Sequence, residues 1–356
     1  MIAAALASII ATAKTETRYI YTEASELTLV NRLFPDTPNP YVRIDTVRFK
    51  GFTKGENNQV RMSTGIAVAF TTDARSISIL TEYGNVIGHP NDTNGISARG
   101  YDLYIRKDGE WLYAASKAPG DKHMGEPMEL ISNLDGTEHE CLLYLPLNCE
   151  EYSVKIGVPT DASLNAMLNP FRHRVAVFGS SFTQGASTSR SGMLYIGQLE
   201  RMTGVQFLSL GCCGNCKLQP YFAEALANAD CDAFLFDTFS NPSMKEISER
   251  LFPFIETIQA KHPGKPLIFQ STIRRESRNF DTRKEDFESS RAELVDKLMA
   301  EAMKKYKDIW YIHPDATAKD HNASVDGTHP SNYGYTLWAE SIRKPVMKIL
   351  KKYGLD

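Results

Sequence analysis

The second half of the chain alternates short apolar runs with amphipathic segments. The runs are rich in β-branched and aromatic residues, as expected for buried strands, and lie at residues 174–178, 205–210, 233–237, 266–270 and 309–313. Between the later runs, apolar residues recur at helical spacing, at Ile247, Leu251, Ile255 and Ile258 and again at Leu294, Leu298, Ala302 and Tyr306. This pattern predicts a parallel sheet covered by helices on both faces, with ligands bound beyond the carboxyl ends of the strands.

The first half of the chain instead alternates polar and apolar residues with a period of two, at residues 76–79, 101–105 and 153–156. Lys107-Asp108-Gly109-Glu110 is typical of a hairpin turn. Because no helical pattern separates these strands, we expect a β-sandwich of the jelly-roll kind. Asn169-Pro170 interrupts the pattern before the first apolar strand of the second half. The predicted domains therefore span residues 25–165 and 172–356.

A serine follows the first apolar run of the second half. Residues 174–178 end at Gly179, and a segment with a helical pattern begins just beyond Ser181. A serine in such a strand-to-helix turn exposes its hydroxyl, and its backbone N–H lies at a helix N-terminus, where negative charge is stabilised. Thr183 stands where the G-x-S-x-G motif of α/β-hydrolases has its second glycine, which indicates a different class of hydrolase.

Asp326 and His329 form a second candidate group. They are close enough in one turn for the carboxylate to accept the Nδ1 proton of the imidazole while Nε2 faces a serine from elsewhere. A helix follows, with Ser331 as its predicted N-cap. Taken alone, Asp-Gly-Thr-His-Pro is more often an ordinary turn capped by aspartate. Together with Ser181, it predicts the nucleophile, the base and the orienting carboxylate of an esterase.

These two blocks resemble those of the SGNH, or GDSL, hydrolases. Residues 179–185 resemble the family's nucleophile block, with Ser180 in place of the usual aspartate, and Asp326 with His329 matches the last block closely. The resemblance implies a catalytic domain with an α/β fold of the three-layer α/β/α parallel-sheet type. It carries the catalytic roles onto Ser181, Asp326 and His329.

The resemblance also implies an oxyanion hole. Residues 210–215 resemble the family's glycine block, in which Gly214 is the better match for the N–H donor. Residues 234–241 resemble the asparagine block, whose frame is degenerate here, and Asn241 matches the side-chain donor. The implied donors are therefore the N–H groups of Ser181 and Gly214 and the amide of Asn241.

Two motifs of the first half resemble the domain that precedes the catalytic domain in one SGNH branch. Gly100-Tyr101-Asp102-Leu103-Tyr104 resembles the signature of the GxDLY domain, and Tyr41-Val42-Arg43-Ile44-Asp45 resembles another recurrent element of that branch. The resemblance thus covers nearly the whole chain.

Composition narrows the expected partners. The 356 residues are 42% hydrophobic and 23% charged, which is ordinary for a globular chain of two domains. A net charge of −3 provides no basic surface field, so nucleic acid is not an expected partner.

The N-terminus predicts export. Residues 2–13 are apolar and end in Ala11-Thr12-Ala13, the small-x-small pattern of a signal-peptide cleavage site, although no Lys or Arg precedes them. Residues 1–13 are therefore a candidate signal peptide, which implies a periplasmic or secreted protein. A short buried helix in a cytoplasmic protein is the alternative. The run is too short to span a membrane.

The six cysteines do not decide the compartment. Cys212, Cys213 and Cys216 lack the second ligand pair of a structural zinc site, so we expect no metal, and no cofactor is expected. Small thiols packed behind a loop are the favoured interpretation. A disulfide between Cys141 and Cys149 stays open if the chain is exported.

Arg274 and Arg275 follow the predicted strand at residues 266–270, on the side expected to carry the site. A solvated loop is the ordinary interpretation of such a cluster. The alternative is a clamp for a substrate carboxylate, which would place both arginines in the substrate-binding site.

The sequence predicts a serine esterase with an acyl-enzyme intermediate, in which His329 withdraws the proton of Ser181. Because β-sandwich plus SGNH architectures recur among carbohydrate esterases, the resemblance implies a short-chain acetyl esterase. Its expected partner is a small ester or an acetylated glycan, and its oligomeric state is not predicted. A short-chain arylesterase, a thioesterase or a lipid acylhydrolase would carry the same blocks. The alternative of another class is a non-catalytic glycan-binding protein with an inactive SGNH domain.

Overall fold

A computed structural model of the chain describes residues 17–86 and 91–356. The candidate signal peptide at residues 1–13 lies outside the described residues. Within them, the first half forms two antiparallel sheets and the second half forms one parallel sheet with flanking helices. The mixed α/β fold expected from the sequence is confirmed at this level.

The strands of the first half are β1 (Tyr19–Glu23), β2 (Thr28–Val30), β3 (Ala67–Thr72), β4 (Ser76–Val86), β5 (Tyr101–Lys107), β6 (Glu110–Lys117), β7 (Met128–Ser132), β8 (His139–Tyr144), β9 (Cys149–Pro159) and β10 (Leu164–Ala166). One sheet has the strand order β1-β9-β4-β7, and the other has the order β10-β3-β8-β5-β6, with β2 paired to β3. The predicted hairpin joins β5 to β6, where Asp108 and Gly109 have φ angles of 52° and 85°. A two-residue hairpin turn requires this left-handed backbone.

The first half also contains two short helices, α1 (Lys54–Val60) and α2 (Gly95–Arg99), so the prediction of strands without intervening helices is wrong there. Neither helix has an apolar repeat. Local caps stabilise both, because Thr53 and Glu56 form a reciprocal capping box on α1 and Asn94 caps α2.

The second half contains β11 (Arg172–Gly179), α3 (Ser181–Gln184), α4 (Tyr195–Thr203), β12 (Val205–Gly211), α5 (Pro220–Ala227), β13 (Ala233–Asp237), α6 (Met244–Lys261), β14 (Leu267–Gln270), α7 (Thr282–Lys305), β15 (Ile309–Ile312) and α8 (Asn332–Lys351). The sheet has the order β12-β11-β13-β14-β15, and every pairing is parallel. The five predicted strands and their parallel arrangement are confirmed. Short 3-10 turns occur at Ala24–Glu26, Asp121–His123, Ser191–Met193 and Glu276–Arg278.

Side chains of the parallel strands alternate between two apolar cores. Phe178 and Phe236 pack with residues of α5, α6 and α7, whereas Val177 and Leu235 pack with residues of α4 and α8. Helices therefore cover both faces of the sheet, and the carboxyl ends of the strands remain accessible at one edge. None of the described helices is long and apolar enough to cross a membrane.

A further core lies in the first half and takes residues from both antiparallel sheets. Val68 and Phe70 of β3 belong to it, together with Ile77 of β4 and Ile156 of β9. This shared core keeps the two sheets together, because both bury apolar side chains in it.

The two N-terminal motifs contact the second half of the chain. Asp102, which is fully buried, accepts hydrogen bonds from the Arg190 guanidinium at 2.8 and 2.9 Å and from the Gly192 N–H at 2.7 Å. Arg43, also fully buried, donates to the carbonyl of Gly211 at 2.8 Å. Residues of the Tyr-Val-Arg-Ile-Asp and Gly-Tyr-Asp-Leu-Tyr segments thus hold the halves together with buried polar contacts.

Candidate active site

Ser181 is the first residue of α3, directly after the turn that ends β11. Ser180 is the N-cap, and its hydroxyl oxygen accepts the Phe182 N–H at 3.2 Å. A Cβ on Gly179 would lie 1.9 Å from Thr183 Oγ1, so the turn is tight enough to require glycine at this position. Ser181 is therefore presented at a helix N-terminus, at the carboxyl end of a parallel strand.

Asp237, the last residue of β13, lies behind this turn. Its Oδ2 accepts hydrogen bonds from the Ser180 N–H at 3.2 Å, the Ser180 hydroxyl at 2.8 Å and the Thr183 hydroxyl at 3.1 Å. Burial raises the pKa of Asp237 to about 6, although the hydrogen bonds from Ser180 and Thr183 lower it. Asp237 was not predicted as a site residue from the sequence. The available signal was an aspartate at the carboxyl end of an otherwise apolar strand.

His329 contacts Ser181 through one ring nitrogen and Asp326 through the other. Its Nε2 lies 2.9 Å from Ser181 Oγ, and its Nδ1 lies 2.8 Å from Asp326 Oδ2. The His329 ring also packs edge-on against Phe182, with ring centroids 5.7 Å apart. The structure thus brings together the three residues that the sequence singled out, in the order nucleophile, imidazole, carboxylate.

Asp326 uses its two oxygens for different tasks. Oδ1 accepts the backbone N–H groups of Thr328 at 2.8 Å and His329 at 2.6 Å, while Oδ2 contacts the His329 ring. Partial burial raises the pKa of Asp326, but these hydrogen bonds outweigh burial and lower it overall. Asp326 therefore caps an ordinary turn with one oxygen and contacts the imidazole with the other, so the two interpretations of this segment are compatible with each other.

A second carboxylate, Asp92, also faces the His329 ring. Asp92 Oδ2 lies 3.4 Å from His329 Nδ1 and accepts a hydrogen bond from the Ser187 hydroxyl at 2.8 Å. Asp92 was not predicted as a site residue, because it lies in a polar run of the first half with no local signal of function. Asp92, Asp326 and His329 place their ligand atoms within 4.8 Å of one another, so this group could hold a cation.

The loop after β12 carries Gly214 and contacts the two neighbouring blocks. The Cys212 N–H donates to the Gly179 carbonyl at 2.9 Å, and the Cys213 N–H donates to Gln184 Oε1 at 2.9 Å. Gly214 has a φ of 69°, a left-handed conformation that favours glycine. This loop therefore lies against the turn that presents Ser181.

Asn241 contacts the same loop through its side chain. Its Oδ1 accepts the Cys216 N–H at 3.3 Å, which leaves Nδ2 as the donor end of the amide. The loop that carries Gly214 is thus hydrogen-bonded both to α3, which begins at Ser181, and to Asn241.

Helix α1 of the first half holds this loop in place. The Gln59 side-chain amide donates to the Cys213 carbonyl at 2.9 Å and accepts from the Asn215 amide at 2.9 Å. Glu56, on the same helix, accepts from Gln219 Nε2 at 2.9 Å. The first half of the chain therefore contributes contacts at the Gly214 loop as well as at His329.

Arg274 and Arg275 are engaged within the second half. Arg275 donates to Glu288 at 2.7 Å and to the Ser240 carbonyl at 2.9 Å, and Arg274 donates to Asn279 at 2.9 Å. Protein acceptors therefore already occupy guanidinium donors that a substrate carboxylate would need. Their substrate-binding role stays a prediction.

The cysteines, all within the described residues, are free thiols, so Cys141 and Cys149 are not linked in this structure. Cys212 and Cys216 pack in the apolar core beside α5 and α6, as the interpretation of small buried thiols predicts. Burial raises the pKa of Cys213 to about 12.

An open cleft of about 510 Å³ adjoins Asp92. Residues of both halves of the chain line it; most have polar side chains, among them Asn91, Asn94, Ser189, Asn332 and Tyr333, and the exposed Val325 adds apolar surface. The Tyr333 side chain is exposed, and amides and hydroxyls surround it. The cleft therefore offers both hydrogen-bonding groups and apolar surface to a ligand.

Two family models match the chain. Residues 172–348 match the model described as the GDSL-like lipase/acylhydrolase family, and residues 17–164 match GxDLY, described as the N-terminus of Esterase_SGNH_hydro-type. No curated protein gave a significant match.

Several solved structures are similar over nearly the whole chain. A protein described as a GDSL-like lipase from Bacteroides ovatus ATCC 8483 is 35% identical, with a TM-score of 0.87 over 94% of this chain and 98% of its own. A family two carbohydrate esterase from Cellvibrio japonicus is 11% identical, with a TM-score of 0.61 over 94% and 99%. The acetyl xylan esterase Est2A from the rumen bacterium Butyrivibrio proteoclasticus is 12% identical, with a TM-score of 0.57 over 95% and 99%. The last two likenesses concern the fold.

Proposed function

Because this chain belongs to the GDSL-like lipase/acylhydrolase family and is a carboxylic ester hydrolase, we propose that it works through Ser181 as a covalent nucleophile. The observation that carries the proposal is the continuous contact from Asp326 Oδ2 through His329 to Ser181 Oγ, with distances of 2.8 and 2.9 Å. In this arrangement the imidazole can take the serine proton while the carboxylate holds the ring in the required tautomer.

The reaction proceeds in two steps, acylation and deacylation. His329 Nε2 takes the Ser181 proton as Oγ attacks the ester carbonyl, and the same proton passes to the departing alcohol when the tetrahedral intermediate collapses. Water then attacks the acyl-enzyme and gives its proton to His329, which returns the proton to Ser181 Oγ as the acyl–oxygen bond breaks and the acid leaves. Asp326 faces the His329 ring throughout and stabilises the imidazolium that forms during acylation and again during deacylation.

The oxyanion of each tetrahedral intermediate is assigned to the N–H groups of Ser181 and Gly214 and to Asn241 Nδ2. Three features support this assignment: the helix N-terminus at Ser181, the hydrogen bonds of the Gly214 loop to the Ser181 turn, and the bond that orients the Asn241 amide. Donors fixed in advance stabilise the developing charge without reorganisation.

The substrate is an acetyl ester of a carbohydrate. Two similar folds belong to proteins described as a carbohydrate esterase and an acetyl xylan esterase. In this chain, the cleft beside Asp92 offers amides, hydroxyls and an exposed tyrosine to the alcohol part of the ester. A sugar has the hydroxyl groups that such a surface can hydrogen-bond, and the tyrosine ring can pack on its apolar face.

The first half of the chain acts as a β-sandwich that completes this site, with the domain boundary between residues 165 and 172. The shared apolar core of the two antiparallel sheets supports the sandwich, and the family matches at residues 17–164 and 172–348 support the boundary. Periplasmic or secreted placement is part of the proposal and rests on residues 1–13.

The test compares the wild type with Ser181→Ala on 4-nitrophenyl acetate, butyrate and octanoate, followed by acetate release from acetylated xylan and pectin. Ser290→Ala is the control, because Ser290 is an exposed serine on α7. We expect the acetate ester to be the best substrate and kcat to fall by roughly six orders of magnitude in Ser181→Ala only.

Equal rates in the wild type and Ser181→Ala would exclude Ser181 as the nucleophile. A preference for octanoate would exclude the acetyl specificity and favour a lipid acylhydrolase. A wild type that binds glycans but hydrolyses no acyl ester would favour the non-catalytic alternative.

A further inference from the structure

The carboxylate of Asp92 approaches His329 from the first half of the chain. Asp92 belongs to the segment between β4 and α2, yet its Oδ2 lies 3.4 Å from the ring nitrogen that Asp326 contacts at 2.8 Å. The Asp92 side chain is 16% exposed and that of Asp326 is 39% exposed. The second carboxylate is thus the more sheltered of the two.

We propose that Asp92 is a positioning residue for His329, a second carboxylate that stabilises the imidazolium when the ring accepts the Ser181 proton. This inference rests on the proposed serine mechanism. It implies that the N-terminal half of the chain takes part in the reaction.

The geometry divides the work between the two carboxylates. Nδ1 carries a single proton, and the shorter distance assigns that proton to Asp326, so Asp92 acts on the ring by charge. A charge interaction is strong only while His329 is positive, that is, around the transition states of acylation and deacylation. Loss of Asp92 should therefore lower kcat more than it changes KM.

Asp92 is held in place by its surroundings. Its Oδ2 accepts the Ser187 hydroxyl at 2.8 Å, and the nearby Asn94 amide donates to the Ser189 carbonyl at 3.1 Å. Ser189 is held in turn by Asn332, whose Oδ1 accepts the Ser189 N–H at 2.9 Å. The Asp92 carboxylate is therefore held by hydrogen bonds at the segment that follows α3, and its position beside His329 is fixed by these contacts.

The charged groups around the ring are few. Asp326 and Asp92 form its ion pairs within the described residues, and Arg275 lies 5.8 Å from the centroid of Phe182, the ring that packs against His329. Trp338 of helix α8 also packs against Phe182, with ring centroids 5.8 Å apart. Removal of the Asp92 charge should therefore make the imidazolium that forms near the transition states less favourable, which lowers kcat.

The experiment measures kcat and KM for 4-nitrophenyl acetate across pH in the wild type, Asp92→Asn, Asp92→Glu and the control Asp161→Asn. Asp161 is an exposed carboxylate of the same half of the chain. We expect Asp92→Asn to lower kcat roughly tenfold, between the effects of an exposed and a buried ion pair, with KM nearly constant. Asp92→Glu, which keeps the charge, should retain more of kcat, and Asp161→Asn should match the wild type.

Thermal unfolding of each variant shows whether a loss of kcat comes from misfolding. An unchanged kcat and pH profile in folded Asp92→Asn would overturn the inference, and so would a rise in KM alone. A loss of wild-type activity in chelator, restored by Mg²⁺ or Ca²⁺ and absent in Asp92→Asn, would overturn it in favour of a cation site. Activity that survives in Ser181→Ala would instead refute the proposed function.

Discussion

At the scale of single residues, the site depends on carboxylates in three different environments. Asp326 is partly exposed and held ionised by hydrogen bonds, which lower its pKa against the effect of burial. Asp237 is buried behind the nucleophile, and burial raises its pKa to about 6. Asp92 is sheltered beside His329. The same side chain can therefore orient the base, support the turn of the nucleophile or supply charge, according to its surroundings.

Asp237 leads to a prediction about stability and pH. Its pKa is about 6 in the folded protein against the ordinary 3.8, so the folded state binds the proton more tightly. The contribution of Asp237 to stability is then greatest below pH 3.8 and is lost as the pH rises through about 6. Asp237→Asn lacks this loss. The unfolding free energy of Asp237→Asn minus that of the wild type should therefore increase between about pH 4 and 7, by at most about 3 kcal/mol.

Chemical denaturation of the wild type and Asp237→Asn at several pH values measures this difference. Asp230→Asn is a suitable control, because the Asp230 side chain is 88% exposed. A difference between the wild type and Asp237→Asn that does not change with pH would contradict the pKa of Asp237.

At the scale of elements, the short polar helix α1 has the largest consequence for the site. It has no apolar repeat, and its capping box fixes where it starts. Through Gln59 it holds both the Cys213 carbonyl and the Asn215 amide, on either side of Gly214. The helix therefore supports the backbone of an implied oxyanion donor from outside the parallel sheet.

Gln59→Ala should lower kcat with little change in KM, because the Gly214 N–H matters most when charge develops on the substrate oxygen. We expect a loss of roughly tenfold, below the 100- to 1000-fold that follows the removal of an oxyanion donor itself. Kinetics with 4-nitrophenyl acetate measure the loss, with Lys54→Ala on the exposed surface of α1 as the control. A Gln59→Ala enzyme with wild-type kcat would show that the loop holds its conformation without α1.

At the scale of the whole molecule, the interface between the two halves is part of the site's construction. Asp102 pairs with Arg190 and accepts the Gly192 N–H, and the Arg190 guanidinium lies 4.2 Å from the centroid of the Tyr113 ring. Arg43 reaches the Gly211 carbonyl, just before the Gly214 loop. The GxDLY signature therefore has a physical role, because its aspartate is the buried anion that joins the halves.

Asp102→Asn should destabilise the protein by about 3 kcal/mol, because it leaves the Arg190 charge without its buried partner. Thermal and urea unfolding measure the loss, and Asp108→Asn at the exposed tip of the same hairpin is the matched control. An Asp102→Asn protein as stable as Asp108→Asn would mean that the ion pair adds no net stability.

The sequence by itself determined the features that depend on local pattern. Periodicity was sufficient for the parallel strands and for the long helices, because burial on a sheet or helix imposes a repeat on neighbouring residues. The blocks around Ser181 and Asp326 were recognisable because their chemistry lies within single turns. The short helices α1 and α2 were not predicted, because caps and not an apolar repeat stabilise them.

Only the tertiary structure decided which distant side chains meet. Asp92 and Gln59 lie in the first half of the chain, and nothing near them in sequence marks them as neighbours of His329 and the Gly214 loop. The pairing of Arg275 with Glu288 and the Ser240 carbonyl was equally invisible in the chain order. Hydrophobic pattern specifies which face of an element is buried, whereas the packing of one domain on the other specifies which polar groups come into contact.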